Sequence, residues 1–383
     1  MNFELTEEQR ILVEGLGRLV ARDYEFSRRQ AFVRSGAGRS AATWQAFAEM
    51  GLLALPYDEA DGGFDSGATG LMAVMQELGR GLVLEPILSS LLCGRLIAKT
   101  GDIGQRESLL PRILDGSSIP AFAHLEDGCR HPLERIETLA TAIPGGGHVL
   151  TGRKVLVDDA SAAGVFLVLA RTGGTPEARD GIGLFLVDAG AAGIDATPYR
   201  AIDDRRIADL VFDGVRVDAT ARLAHATTLD VVDEALDFAR TLICCEAVGV
   251  LRAVNEMTIE YLKTRRQFGV PIGSFQALQH RVTEMAGFIE QAYSLALLAC
   301  AGVDADPADP PGSAHRIRAV AAAKIKVAEA CRAVGQAAVQ LHGGMGMAQE
   351  MKVSHAFKRL TVIERQFGDV DYHLGRFAAA ATR

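Results

Sequence analysis

The stretch YLKTRRQFGVPIGSFQALQHRVTEMA, residues 261–286, decides the fold of the C-terminal part of the chain. Both flanks have the apolar spacing of helices, but the glycines and proline of FGVPIG at 268–273 interrupt that pattern. A connection between two helices does not require an Arg, a Gln and a Phe directly before the turn, or a Phe-Gln pair directly after it. The pattern therefore predicts a loop whose side chains contact another group.

Outward from this loop, the chain changes its pattern at two places. Residues 1–118 have amphipathic helical patterns, residues 119–222 have short β-branched segments separated by turn clusters, and residues 223–383 return to long helices rich in Ala, Val and Leu. We predict an α+β fold class with an N-terminal helical domain, a middle antiparallel β domain and a C-terminal four-helix bundle. Because strands and helices do not alternate in the sequence, a doubly wound nucleotide-binding sheet is not expected.

The composition indicates a globular protein without nucleic-acid or membrane partners. Of the 383 residues, 49% are hydrophobic and 23% are charged, and the net charge is −8 with no basic run. The first residues carry acids rather than the apolar core of a signal peptide, and no segment reaches the roughly 20 apolar residues of a membrane span. The six Cys and nine His lack metal-ligand spacing, so we expect no metal and a reducing, cytoplasmic location.

Several motifs occur in an order that resembles the acyl-CoA dehydrogenase family along essentially the whole chain. They are LTEEQ, MGLLALPYDEADGGF, QELGRGLVLEP, LLPRILDGSSIPAFAHLE, TGRKVLVDDA, RRQFGVPIGSFQALQHR and QLHGGMGM. The segments CEAVG and FKRLTVIERQFGDVDYHLGRF resemble a narrower branch, which includes the small subunit of pimeloyl-CoA dehydrogenase and subunits of heterotetrameric steroid-side-chain enzymes. The resemblance implies FAD as cofactor, an acyl-CoA thioester as substrate and an electron-transfer flavoprotein as electron acceptor.

The resemblance also implies that the loop at 261–286 reaches across a dimer interface to the FAD of the neighbouring subunit. Arg265 can give a charge-assisted fork to a pyrophosphate, and Phe268 can pack against flat groups of the cofactor. Glycines in HGGMG allow close approach of the backbone to a nucleotide. The predicted cofactor-binding residues are Arg265, Gln267, Phe268, Gln276, Gln340, Gly343 and Gly344, with Gly346 in the same element. The alternative is a structural turn with a surface Arg, followed by a glycine-rich helix break.

The catalytic base that the family requires is missing from both of its usual positions. A carboxylate must remove the α-proton of the thioester while the β-hydride goes to the flavin. Those positions hold Phe367 and Ala239 in this chain, the latter directly before Arg240. We predict Glu246, two helical turns after Ala239, as a relocated base beside Arg240, and Glu364 as a second possibility. A structural role, paired with another side chain, is the alternative for each carboxylate.

The middle domain departs from the family pattern as well. The family's T-E-P-x-A-G-S-D segment corresponds to Leu125–Arg130, so the flavin-binding Thr and the Ser that helps to hold CoA are lost. The family's W-I-T/S corresponds to Leu156–Asp158, so the Trp that shields the flavin is lost too.

Three functions follow as hypotheses. The protein is the small subunit of a heteromeric acyl-CoA dehydrogenase, paired with a larger subunit in an α2β2 assembly. Alternatively it is a self-associating, self-sufficient enzyme with Glu246 as base, or a non-catalytic structural subunit. The narrower resemblance implies a thioester with a dicarboxylic or bulky acyl chain.

Overall fold

The structure is a computed structural model, and it describes residues 5–129, 131, 133, 135–224, 229–305 and 312–381. The chain forms two compact units. The first comprises Met1–Ala31, Gly67–Val83 and Arg240–Arg383, and the second comprises Phe32–Ser66 and Leu84–Ala239.

Helices dominate the chain before the sheet begins. They are α1 (Glu7–Asp23), α2 (Phe26–Arg34), α3 (Ala41–Glu49), α4 (Gly67–Gly81), α5 (Ile87–Thr100) and α6 (Ile103–Leu114). The first helix begins at a capping box, in which the Thr6 hydroxyl accepts the Gln9 N–H at 3.2 Å and the Gln9 side chain accepts the Thr6 N–H at 3.0 Å. The local sequence therefore fixes where this helix starts.

The second unit contains a seven-stranded sheet. Its strands are β1 (Pro120–Ala123), β2 (Leu139–Ile143), β3 (Gly147–Asp158), β4 (Val165–Arg171), β5 (Ile182–Asp188), β6 (Ile194–Arg200) and β7 (Arg206–Val217). The order is β1-β4-β2-β3-β7-β6, with β5 paired to β4. Most pairs are antiparallel, as predicted, but β4 runs parallel to β1 and to the end of β2 because the β2–β3 hairpin lies between β1 and β4 in the chain.

Long helices form the C-terminal part of the chain, which belongs to the first unit from Arg240 onward. They are α7 (Leu229–Thr264), α8 (Gln276–Asp304), α9 (Gly312–His342), α10 (Lys352–Arg365) and α11 (Val370–Ala381). Helix α7 crosses α4 at very short range, because a Cβ on Gly79 would clash with the Glu246 carbonyl and one on Gly249 with the Gln76 carbonyl. Glu246 therefore lies on a face of α7 that is closed by backbone.

The break between α7 and α8 is a small hairpin. Strands β8 (Arg266–Gln267) and β9 (Val270–Pro271) pair around Phe268 and Gly269, whose φ angles are 51° and 81°. Two consecutive left-handed residues are typical of the type I′ turn that suits a two-residue hairpin. A Phe adopts this conformation only at a cost, so the tip is held by its surroundings or by what it contacts.

Helix α8 bears on the expectation that the chain has no membrane span. By length and composition it is apolar enough to cross a bilayer, the one such helix among the described residues, although no membrane span was expected. Within the protein, 44% of its most apolar window is buried, and the helix packs along α9. The core helix of a bundle passes the same test of apolarity, so the test alone is weak evidence for a membrane.

Candidate functional site

An open cleft of about 790 Å³ lies in the first unit, where the β8–β9 hairpin, the start of α8 and the end of α9 meet. Its size is within the range of small-molecule and cofactor sites. The cleft is lined by Tyr261, Arg265, Gln267, Ile272, Ala277, Leu278, Arg281, Gln340, Leu341, His342, Gly343, Gly344 and Met345. The structure thus brings together Arg265, Gln267, Gln340, Gly343 and Gly344, five residues predicted to bind the cofactor.

The guanidinium of Arg265 is available to an anion. Within the described residues it forms neither a hydrogen bond nor an ion pair, and its side chain is exposed. The neighbouring Arg266 differs, because its Nη2 donates to the Gly269 carbonyl at 3.1 Å across the hairpin. An exposed guanidinium in a cleft can bind a phosphate group bidentately.

The glycines after α9 divide into two kinds. A Cβ on Gly343 or Gly344 would meet no atom within 4 Å, and Gly343 has a φ of 62°. The backbone there faces open space, which is what a closely approaching ligand requires. A Cβ on Gly346 would instead lie 2.9 Å from the Val339 Cα, so packing of the chain on itself requires that glycine. The structure places Gly346 outside the cleft lining.

Two predicted cofactor residues do not line the cleft. Phe268 is 90% exposed at the hairpin tip, where its ring meets Phe275 edge-to-face with centroids 6.1 Å apart. Gln276 is exposed as the first residue of α8. Their contact with a cofactor stays a prediction, which requires a ligand that extends beyond the residues lining this cleft.

The cleft also contains residues that the sequence analysis missed. Tyr261 stacks on His342 with ring centroids 4.5 Å apart, and Arg281 adds a second guanidinium. Tyr261 lies four residues before Arg265, so helical spacing could have placed the two side chains on one face.

Glu246 has the partner that its sequence could not reveal. Its two carboxylate oxygens accept hydrogen bonds from Nε and Nη2 of Arg359 at 2.7 and 2.8 Å, and both side chains are buried. A bidentate fork from a guanidinium stabilises the ionised carboxylate and fixes its orientation toward Arg359. The geometry favours the structural alternative for Glu246 over the role of base. Glu364 is likewise bound, by an ion pair to Arg332.

The position of the usual base lies on a turn after α10. Arg240 Nε donates to the Phe367 carbonyl at 3.1 Å, and His373 Nε2 is 3.3 Å from the same oxygen. The Lys324 ammonium donates to the Ile363 and Gln366 carbonyls at 2.9 and 2.8 Å. The turn is therefore fixed from several sides, and it presents a Phe instead of an acid.

The electrostatics of this turn are set by burial. Burial lowers the pKa of Lys324 to about 8. Burial, with nearby Arg240 and Lys324, holds the pKa of His373 far below its usual range, so the imidazole is neutral. Its Nε2 then carries the proton given to the Phe367 carbonyl, which is consistent with Nδ1 having no hydrogen-bond partner in the described part of the chain.

The altered motifs of the middle domain serve the fold. Lys154 and Glu126 form a buried ion pair at 2.6 Å, and Glu126 also accepts the Thr138 N–H at 3.0 Å. Burial opposes ionisation, but Lys154 and the backbone donors together hold the pKa of Glu126 below its usual value. Leu156 is exposed with a φ of 53° at a bulge of β3, and its N–H donates to Asp209 at 3.1 Å. Arg130 lies outside the described residues.

Comparisons with known proteins agree with this architecture. Three family models match consecutively: the acyl-CoA dehydrogenase N-terminal domain at residues 6–117, the middle domain at 121–215 and the C-terminal domain at 229–382. The acyl-CoA dehydrogenase FadE12 of Mycobacterium tuberculosis is 30% identical over 335 residues, covering 84% of each chain.

Solved structures give the same result. One chain of the ChsE4–ChsE5 complex from Mycobacterium tuberculosis is 26% identical with a TM-score of 0.88, covering 100% of this chain and 99% of that one. A glutaryl-CoA dehydrogenase from Mycobacterium smegmatis in complex with FADH2 shares the fold, with a TM-score of 0.87 at 23% identity and coverage of 99% and 95%. The predicted α+β fold class is confirmed. The chain belongs to the acyl-CoA dehydrogenase family of FAD-dependent oxidoreductases.

Proposed function

We propose that this protein is the base-lacking small subunit of a heteromeric FAD-dependent acyl-CoA dehydrogenase. One observation carries the proposal. The cofactor cleft is open and lined by the predicted cofactor-binding residues, whereas the turn at the usual base position has Phe367 in place of an acid. The two substitute carboxylates, Glu246 and Glu364, are held in ion pairs. In this proposal a larger subunit, paired in an α2β2 assembly, supplies the carboxylate that removes the α-proton.

The residues of the cleft fit the nucleotide part of FAD. The Arg265 guanidinium has no partner among the described residues and can bind a phosphate, while Gln267 and Gln340 offer amide donors and acceptors. Gly343 and Gly344 leave space where a side chain would block a ligand. When bound, FAD supplies the acceptor for the hydride that leaves the β-carbon of the thioester. This chain's part is to hold and orient the nucleotide.

Apolar side chains around the cleft support a protein partner. Phe268 is 90% exposed, and Met345, which lies 3.9 Å from the Tyr261 hydroxyl, and Met347 are exposed as well. Exposed large apolar groups beside a polar cleft are typical of a surface that another subunit covers. The ChsE4–ChsE5 structure is a complex, which supports a heteromeric partner for this chain as well.

The remaining features of the proposal follow from the resemblance. The substrate is a CoA thioester with a dicarboxylic or bulky acyl chain, and an electron-transfer flavoprotein accepts the electrons. The enzyme works in the cytoplasm, without a nucleic-acid or membrane partner.

The test is to purify the chain alone and together with a larger family subunit. We expect little FAD and no acyl-CoA dehydrogenation from the chain alone, and both from the co-purified assembly. Turnover by the chain alone, with about one FAD per chain, would contradict the proposal and would favour a self-sufficient enzyme.

A further inference from the structure

Arg281 is a second cation in the cofactor cleft. It ends the motif RRQFGVPIGSFQALQHR, but neither the family resemblance nor the proposed function gives it a role. It lies on α8, six residues after the hairpin-proximal Phe275, and lines the same cleft as Arg265. Its side chain is exposed, and it forms no hydrogen bond or ion pair within the part of the chain that the structure describes. Glu284, one helical turn further along α8, does not pair with it there.

Two guanidinium groups that line one cleft without a partner in the described part of the chain make the cleft locally positive. The nearby Arg266 differs, because its guanidinium donates to the Gly269 carbonyl. A ligand with two linked phosphates can place one phosphate against each guanidinium. A ligand with a single phosphate offers fewer acceptor oxygens and less negative charge to the same two groups.

Arg281 also lies between two adjoining depressions of the surface and lines both of them. It and Gln340 line a second, adjoining depression of about 430 Å³ between α8 and α9, together with Phe288 and Gln336. A ligand held at Arg281 therefore has room on either side of its phosphates, as a dinucleotide needs.

We propose that Arg281 is a second phosphate-binding residue, and that with Arg265 it makes this cleft select diphosphates over monophosphates. The inference rests on the proposed function, because it assigns the cleft to the nucleotide part of FAD. It adds a specificity: two guanidinium groups favour the greater charge and the second phosphate of a diphosphate more strongly than Arg265 alone would.

The test uses the full chain and two soluble probes, ADP and AMP, measured by isothermal titration calorimetry at low ionic strength. We expect the wild-type chain to bind ADP more tightly than AMP, and Arg281→Gln to weaken ADP binding about tenfold while changing AMP binding little. Arg281→Lys should restore part of the ADP affinity, since it keeps the charge but loses the fork. Arg266→Gln is the matched control and should bind both probes as the wild type does.

The outcomes separate the two proposals. If Arg265→Gln weakens ADP binding but Arg281→Gln does not, the selectivity inference is wrong and the proposed cofactor cleft stands. If the wild type binds no ADP, or binds it equally well after Arg265→Gln, the assignment of this cleft to FAD fails and the inference fails with it. An equal loss of ADP and AMP affinity in Arg281→Gln would also overturn the selectivity, because it would show a general charge effect.

Discussion

Breaking the buried pair between Glu246 and Arg359 decides whether Glu246 is structural or catalytic. The two side chains are 4% and 3% exposed, and they are joined by hydrogen bonds of 2.7 and 2.8 Å. Removing one partner of a buried pair leaves an uncompensated charge or an unsatisfied fork, at a cost of about 3–5 kcal/mol. Arg359→Met and Glu246→Gln should therefore each lower the free energy of unfolding by about that amount, because Glu246→Gln leaves the buried guanidinium charged without its carboxylate.

The double variant Glu246→Gln, Arg359→Met supplies the decisive quantity. If the two residues act on each other, the double variant should cost less than the sum of the single variants, with a coupling of about 2–3 kcal/mol. The free energies would come from urea unfolding followed by circular dichroism, compared at unchanged slope. Arg332→Met is the control: it also removes an Arg from a carboxylate, but that Arg is 58% exposed, so the loss should be much smaller.

A different result would refute this reasoning. If Glu246→Gln unfolds like the wild type, the fork does not contribute to stability. If the same variant, in the co-purified assembly, also abolishes dehydrogenation while retaining FAD, Glu246 is the base after all.

Three further predictions follow from the site. Gly344→Ala should keep the stability of the wild type but weaken ADP binding. Gly346→Ala should lower the unfolding midpoint, because its Cβ clashes with Val339. Equal midpoints for the two variants would contradict the different roles of these glycines. The pKa of Lys324 is about 8 in the folded chain against an ordinary 10.5, so unfolding takes up a proton between pH 8 and 10.5 and the free energy of unfolding should rise with pH in that range. The rise should be smaller in Lys324→Met. An unchanged pH dependence in that variant would show that other groups cause it. Phe268→Ser should leave the unfolding midpoint unchanged and weaken association with the larger subunit in ultracentrifugation; intact assembly would exclude the hairpin tip from the interface.

The parts of the fold that the sequence predicts are those with local causes. The hairpin between α7 and α8 follows from FGVPIG, and the start of α1 follows from the Thr6 capping box. The family motifs predict Arg265 and Gln340 as cofactor-binding residues although they are distant in the chain, and the structure places both in one cleft. By contrast, nothing local identifies Arg359 as the partner of Glu246, because 113 residues separate them.

Residues of one type can differ in role for reasons that only packing reveals. Gly343 and Gly346 belong to one HGGMG motif, yet the first faces open space and the second is pressed against Val339. Gln267 and Phe268 are adjacent in the hairpin, yet Gln267 lines the cleft whereas Phe268 is 90% exposed at the tip. A sequence motif names the residue type at each position, and the direction of its Cβ depends on neighbours far along the chain.

Residue 367, where the resemblance implies a carboxylate, can be a Phe without disturbing the turn around it. Arg240, Lys324 and His373 all bind backbone carbonyls of the turn, at Ile363, Gln366 and Phe367, and Gly368 has a φ of 118° that other residues rarely adopt. None of these contacts uses the side chain of residue 367, so the turn keeps its conformation whether that residue is an acid or a Phe. A chain that needed only to fold and to present its cofactor cleft could therefore lose the acid without losing the frame around it. A partner subunit with an intact acid would then make the loss neutral, which is the division of labour that we propose.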